Sequence, residues 1–297
     1  MDYRFKHKEP VAEGVRRIVD EQIDMAIRQL SDRADDPHDG IHEARKCLKR
    51  IRAVLHLLRP TLGSVYSREN AVFRDVGREL SGIRDAEAVL ETLDRLHGPL
   101  GDSVSEADFA LVRDVLVERR DALTPDAANG EDRHRQAIDV LEQVRSRLPE
   151  WPLGGGFRAI GAGLEDYYRR ARKAFARALD QPVAENYHEW RKRTKDLWYF
   201  SQLLQPMKPK RMKAMRRDLK RLSDCLGDDH DLVVFRELLE SEEVGIPVHL
   251  RVALMEVMEA EQERLRERAR ELGQRLLAEK PKAFRQRMKQ YWKAWRR

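Results

Sequence analysis

At 297 residues the chain can hold one large domain or two of ordinary size, and its net charge of +6 points to an anionic partner. Apolar residues make up 41% and charged residues 37%, while Gly (16) and Pro (12) are sparse. That balance favours long helices and excludes an all-β fold or wide disorder. The start, MDYRFKHKEP, is charged where a signal peptide is apolar, and no run of 18 apolar residues occurs. With Cys47 and Cys225 the sole cysteines, the expectation is a reducing, cytoplasmic setting without a membrane span.

Pro and Gly punctuation predicts helices over 11–31, 41–58, 67–82, 84–96, 106–122 and 132–147, then a break at PEWPLGGGF (149–157). Beyond it, helices are predicted over 157–179, 184–204, 210–226, 229–241, 248–278 and 282–296. The break reads as a linker between a first repeat, 1–148, and a second, 158–297. IHEARKCLKRIRAVLHLLRP (41–60) aligns without a gap with YHEWRKRTKDLWYFSQLLQP (187–206), so that His42, Glu43, Arg45, Lys46, Lys49 and Pro60 recur 146 residues later. The same offset places Leu80 on Leu226 and Asp85 on Asp231. Two motifs sharing one offset imply duplication. The fold expected is all-α: two similar antiparallel helical bundles related by a pseudo-twofold.

The repeated helix carries the chemistry. Stepping about 100° per residue from His42 places Arg45, Lys46, Lys49, Arg52 and His56 within about 80° of it, with Arg50 at the edge. Ala44, Cys47, Leu48, Ile51, Val54, Leu55 and Leu58 occupy the opposite arc, so the helix is amphipathic with a cationic face. In the second copy His188, Arg191, Lys192 and Lys195 cluster, and Tyr199 lands on the same face, where its hydroxyl can donate to a phosphate oxygen. A solvated face normally interleaves Glu with Lys to relieve repulsion. Like charges crowding one stripe twice over point instead to a ligand. MKPKRMKAMRRDLKRL (207–222) adds Arg211, Arg216, Arg217 and Lys220 among its cations, and DYYRRARKAFARAL (166–179) adds Arg169, Arg170, Arg172 and Lys173.

In its two H-x-x-R-K-x-x-K runs, starting at His42 and His188, and in the segments SGIRDAEAVL and GDDHDLVVF, the sequence resembles the CHAD family, the conserved-histidine α-helical domain. The resemblance implies two helical bundles around a basic cavity, inorganic polyphosphate as ligand, and in bacteria an association with polyphosphate granules. It implies phosphate ligands at His42, Arg45, Lys46, Lys49, Arg50 and Arg52, and at His188, Arg191, Lys192, Lys195 and Tyr199. Asp196 and Trp198 stand where the first copy has Arg50 and Arg52, so the second stripe is shorter. The E-x-E-x-K motif of the CYTH triphosphatase domain is absent, which leaves a stand-alone, non-enzymatic binder without cofactor.

Other readings remain. Basic helices also hold nucleic-acid backbones without sequence preference, although aromatics are 7% of the chain and the first basic face carries none besides its histidines. DDHDL (228–232) contains a His-Asp pair like that of metal-dependent phosphohydrolases. Capping, or orienting an arginine, explains Asp85 and Asp231 more simply. A metal site on His42 and His188 wants three or four ligands, and Cys47 points into the apolar arc. No G-x-x-x-x-G-K-[ST] occurs, so a P-loop kinase is not expected.

Overall fold

The computed structural model describes residues 3–31, 37–80, 84–122, 127–241 and 245–297, and its regular elements are all helical. In chain order they are α1 (Val11–Ser31), α2 (Pro37–Leu62), α3 (Ser64–Glu79), α4 (Arg84–Leu100), α5 (Glu106–Ala122) and α6 (Ala127–Arg147). The second half holds α7 (Gly156–Asp180), α8 (Ala184–Leu203), α9 (Pro209–Glu240), α10 (Val248–Leu276) and α11 (Pro281–Arg296). Starts follow local chemistry. Pro209 and Pro281 sit in the first turns of α9 and α11, where a missing N–H goes unnoticed. Ser105 Oγ accepts from the Asp108 N–H at 3.1 Å and caps α5.

Three packing pairs of the first half have counterparts in the second. α1 packs on α2 as α7 packs on α8, α2 on α3 as α8 on α9, and α1 on α6 as α7 on α11. Two apolar clusters form, and each draws on both halves. The first joins α1, α2, α3, α6, α7 and α11 with the C-terminal part of α8 and with Met212 and Leu219 of α9; the second joins α4, α5, the rest of α9 and α10 with parts of α7 and α8. Cys47 belongs to the first cluster and Cys225 to the second, each as a buried free thiol. The segment read as a linker is anchored: Trp151 is buried, and Arg16 of α1 donates to the Pro149 carbonyl at 3.1 Å.

Two expectations need correction. The helices expected over 210–226 and 229–241 are one continuous α9. Gly227 inside a helix costs about 1 kcal/mol, but Leu219, Leu222, Leu226, Leu232, Phe235 and Leu239 are buried on both sides of it and tie the helix together. DDHDL therefore lies within a helix, not at a turn. The second correction concerns α2, whose apolar arc is wider than one face: Ala53 and Leu57 are also buried. Leu57 is covered by α7, which crosses where Gly163 meets α2. A Cβ on Gly163 would lie 1.9 Å from the Leu57 carbonyl oxygen, and backbone cannot move aside as a side chain can. Gly163→Ala is accordingly expected to destabilise the fold by at least the ~1–3 kcal/mol typical of overpacking. A thermal melt superposing on wild type excludes this crossing as a fixed point of the fold.

Candidate functional site

Where α2 and α8 run past one another, the surrounding helices leave a cavity of about 590 Å³. Arg45, Lys49, Arg52, His56 and Arg59 of α2 line it, opposite Arg191, Lys192, Arg193, Lys195, Asp196 and Tyr199 of α8. α3 contributes Tyr66 and Asn70, α4 Ala88, Val89 and Glu91, α7 Tyr167 and Arg170, and α9 His230, Asp231 and Val234. Nine Lys or Arg side chains thus meet three carboxylates, a strongly positive volume partly withdrawn from water.

The two basic stripes act on each other. Burial and the charges of Arg45, Arg191, Arg52 and Lys46 hold the Lys49 ammonium down to about 8, and Arg191 in that set belongs to the opposite helix. His188 packs its ring 4.4 Å from that of His230. Burial, then His230, Lys192 and Arg191, lower its pKa to about 4. Its Nδ1 is buried without a hydrogen-bond partner. Burial pushes the Tyr199 hydroxyl up to about 12, so it stays a donor.

Of the residues expected to bind anion, the cavity brings together Arg45, Lys49, Arg52, Arg191, Lys192, Lys195 and Tyr199. It does not bring in the others. His42 and His188 are half-buried outside the lining. Lys46 donates to Glu43 at 2.6 Å, and Lys192 pairs with Glu189 at 2.7 Å while still lining the cavity. Each basic stripe therefore does carry one i,i+3 acidic partner. Arg50, at the edge of its stripe, turns toward α1: it donates to Gln22 at 3.2 Å and lies 5.8 Å from the Tyr3 ring.

Arg211, Arg216, Arg217 and Lys220 are placed on α9 outside the lining. Arg216 donates to Gln205 at 2.9 Å, Arg217 pairs with Asp218, Lys220 pairs with Asp224, and Arg211 is exposed. At 1.5 Å per residue, Arg217 is roughly 20 Å along the helix from His230.

Other lining residues were not expected at the site. His56 lies on the predicted stripe but was not assigned a binding role. Arg59 falls just beyond the same arc, and Arg170 belongs to a basic run noted in the sequence. Arg193 gave no such signal, because it occupies the position of buried Cys47 in the first copy. Tyr66, Asn70, Tyr167 and His230 reach the cavity through long-range packing.

Asp231 does face an arginine, Arg95, at 3.7 Å; burial raises its carboxyl while Arg191, Arg95 and Lys195 pull it down. The Asp85 side chain lies outside the described residues. Among the described residues no group of three or more His, Cys, Asp or Glu could hold a metal ion.

A helical fold built around a cationic cavity defines the class of protein. The CHAD domain pattern matches residues 17–240, and the chain belongs to the CHAD domain family. The fold resembles that of the CHAD domain from the plant Ricinus communis, with a TM-score of 0.62 and 17% identity over 96% of this chain and 93% of that one. It also resembles PptA from Streptomyces chartreusis, with a TM-score of 0.60 and 14% identity over 91% of this chain and 100% of that one. Two uncharacterized proteins of Mycobacterium tuberculosis, one from strain CDC 1551 / Oshkosh and one from H37Rv, are each 27% identical over 260 residues. The alignment covers 80% of this chain and 47% of each of those proteins, so the chain spans about half the length of the curated relatives it matches.

Proposed function

We propose that this chain binds inorganic polyphosphate, without chemical turnover, in the cavity between α2 and α8. One observation carries the reading: the two H-x-x-R-K-x-x-K helices turn Arg45, Lys49, Arg191, Lys192 and Lys195 onto one volume. Crowding of like charges opposes the free state, and a linear polyanion relieves it. Members of the family are linked to polyphosphate. That ligand offers a dense repeating charge and no base or sugar to read. Cations one helical turn apart present donors about 5–6 Å from each other, Arg as a planar fork and Lys as a mobile point charge. On this proposal the protein works in the cytoplasm, at polyphosphate granules where these form.

The test is a titration of the wild-type protein with polyphosphate at two salt concentrations, with tRNA and duplex DNA as competitors. Binding is expected to weaken steeply with salt and to resist both nucleic acids. Displacement by nucleic acid at equal phosphate concentration makes a nucleic-acid backbone the ligand instead. A flat salt response removes the cavity's charge from the account altogether.

A further inference from the structure

Asp196 looks out of place. It lines a cavity read here as an anion site, yet it is a carboxylate, and simple Coulomb repulsion says that its removal should tighten binding. Its surroundings argue the reverse. The residue is 8% exposed. Its Oδ1 accepts from His56 Nδ1 of α2 at 2.8 Å, and its Oδ2 accepts from Arg193 of α8 at 3.3 Å. Both carboxylate oxygens are therefore engaged by donors, His56 and Arg193, that line the same cavity. The tie reaches further on both sides. The His56 ring stacks on Tyr167 of α7, with centroids 4.9 Å apart and planes 17° from parallel. The Tyr167 and Tyr66 hydroxyls are 3.4 Å apart, which brings in α3, and Arg193 Nε donates to Glu189 at 2.7 Å.

From this geometry we infer that Asp196 is a positioning residue: with His56 it fixes α2 against α8 at the separation at which both basic stripes reach one polyphosphate chain. Arg45, Lys49 and Arg52 of α2 face Arg191, Lys192 and Lys195 of α8 across the cavity, and like charges so placed repel. The buried His56–Asp196 hydrogen bond between them opposes that repulsion, and the same carboxylate aims Arg193. The inference rests on the polyphosphate reading above and names what organises that site.

The test is a double-mutant cycle. Polyphosphate affinity is measured for wild type, Asp196→Asn, Arg193→Gln and the double variant, with a thermal melt of each. Asp196→Asn removes a negative charge but is expected to bind about tenfold more weakly. Arg193→Gln is expected to weaken wild type severalfold and the Asp196→Asn protein hardly at all. A merely structural Asp196 lowers the melting temperature yet leaves the Arg193→Gln effect unchanged, and that additive result overturns the inference. So does tighter or equal binding by Asp196→Asn. If Asp196→Asn does not fold, His56→Phe replaces it in the same cycle, since Phe keeps a ring against Tyr167 and removes only the donor. Wild-type protein that fails to bind polyphosphate sinks the functional reading itself. Wild type that binds, with Asp196→Asn binding better, sinks the positioning role alone.

Discussion

Replacing Arg45 and Arg191 together by alanine is expected to raise the polyphosphate dissociation constant by about a hundredfold. The two side chains come from different helices, and both line the cavity. A hydrogen bond to a charged group contributes about 1.5–3 kcal/mol, whereas an exposed ion pair contributes about 0–1 kcal/mol. Because both arginines are half-buried, the larger range applies to them. Two such losses total at least about 3 kcal/mol, and each 1.4 kcal/mol is a factor of ten. The control is Arg50→Ala/Arg217→Ala, which removes the same formal charge from residues outside the lining. It is expected to change the constant by less than about threefold, the scale of screened surface charges. Calorimetric titration at one fixed salt concentration checks both. Equal losses in the two pairs mean that net charge, not the cavity, binds the ligand. An unaffected Arg45→Ala/Arg191→Ala protein places the site elsewhere.

That control depends on distinctions invisible in the linear sequence. Helical periodicity was enough to find the basic stripe, because His42, Arg45, Lys46 and Lys49 alternate with buried Ala44, Cys47, Leu48 and Ile51 at helical spacing. A stripe about 160° wide, however, faces more than one neighbour. Arg50 at one edge reaches α1 and Tyr3, while Arg59 beyond the other edge enters the cavity. Which edge meets which helix is decided by long-range packing that no local pattern encodes. Internal repetition helped and misled in turn. It paired Arg45 with Arg191, and both line the cavity. It also put Arg193 opposite buried Cys47 and so hid a cation that lines the site. The Gly227 break failed for a different reason: burial on both sides of one residue outweighed its weak preference against helix. Asp196 counted in the sequence as a gap in a cationic stripe, and in the fold it joins the two stripes.

The same buried charge makes binding depend on pH in an unusual range. A lysine ordinarily stays charged to about 10.4, but burial and its cationic neighbours hold Lys49 in the free protein at about 8. A polyanion in the cavity reverses the local potential and returns that pKa toward its ordinary value. The sign follows directly: the complex binds more protons than the free protein between these two limits, so the Lys49 contribution to affinity is full below pH 8 and is lost above it. The loss approaches tenfold per pH unit for one coupled group, long before an ordinary lysine would titrate. Lys49→Arg is expected to abolish that fall, since a guanidinium remains charged throughout, whereas Lys49→Gln is expected to be weak and pH-independent over the same window.

His188 acts at the other end. Its depressed pKa of about 4 means that the unfolded chain binds a proton the folded chain refuses. Its contribution to stability is therefore complete above pH 6.5 and is lost as pH falls toward 4. Bound polyphosphate favours the imidazolium and opposes that loss. Acid melts without ligand are expected to drop across this window and to drop less with polyphosphate present. Affinities measured from pH 5 to 10 should then trace two limbs, a rise on the acid side that disappears in His188→Gln and a fall above pH 8 that disappears in Lys49→Arg. An alkaline limb unchanged in Lys49→Arg would assign the titration to another group and leave Lys49 outside the ligand's field.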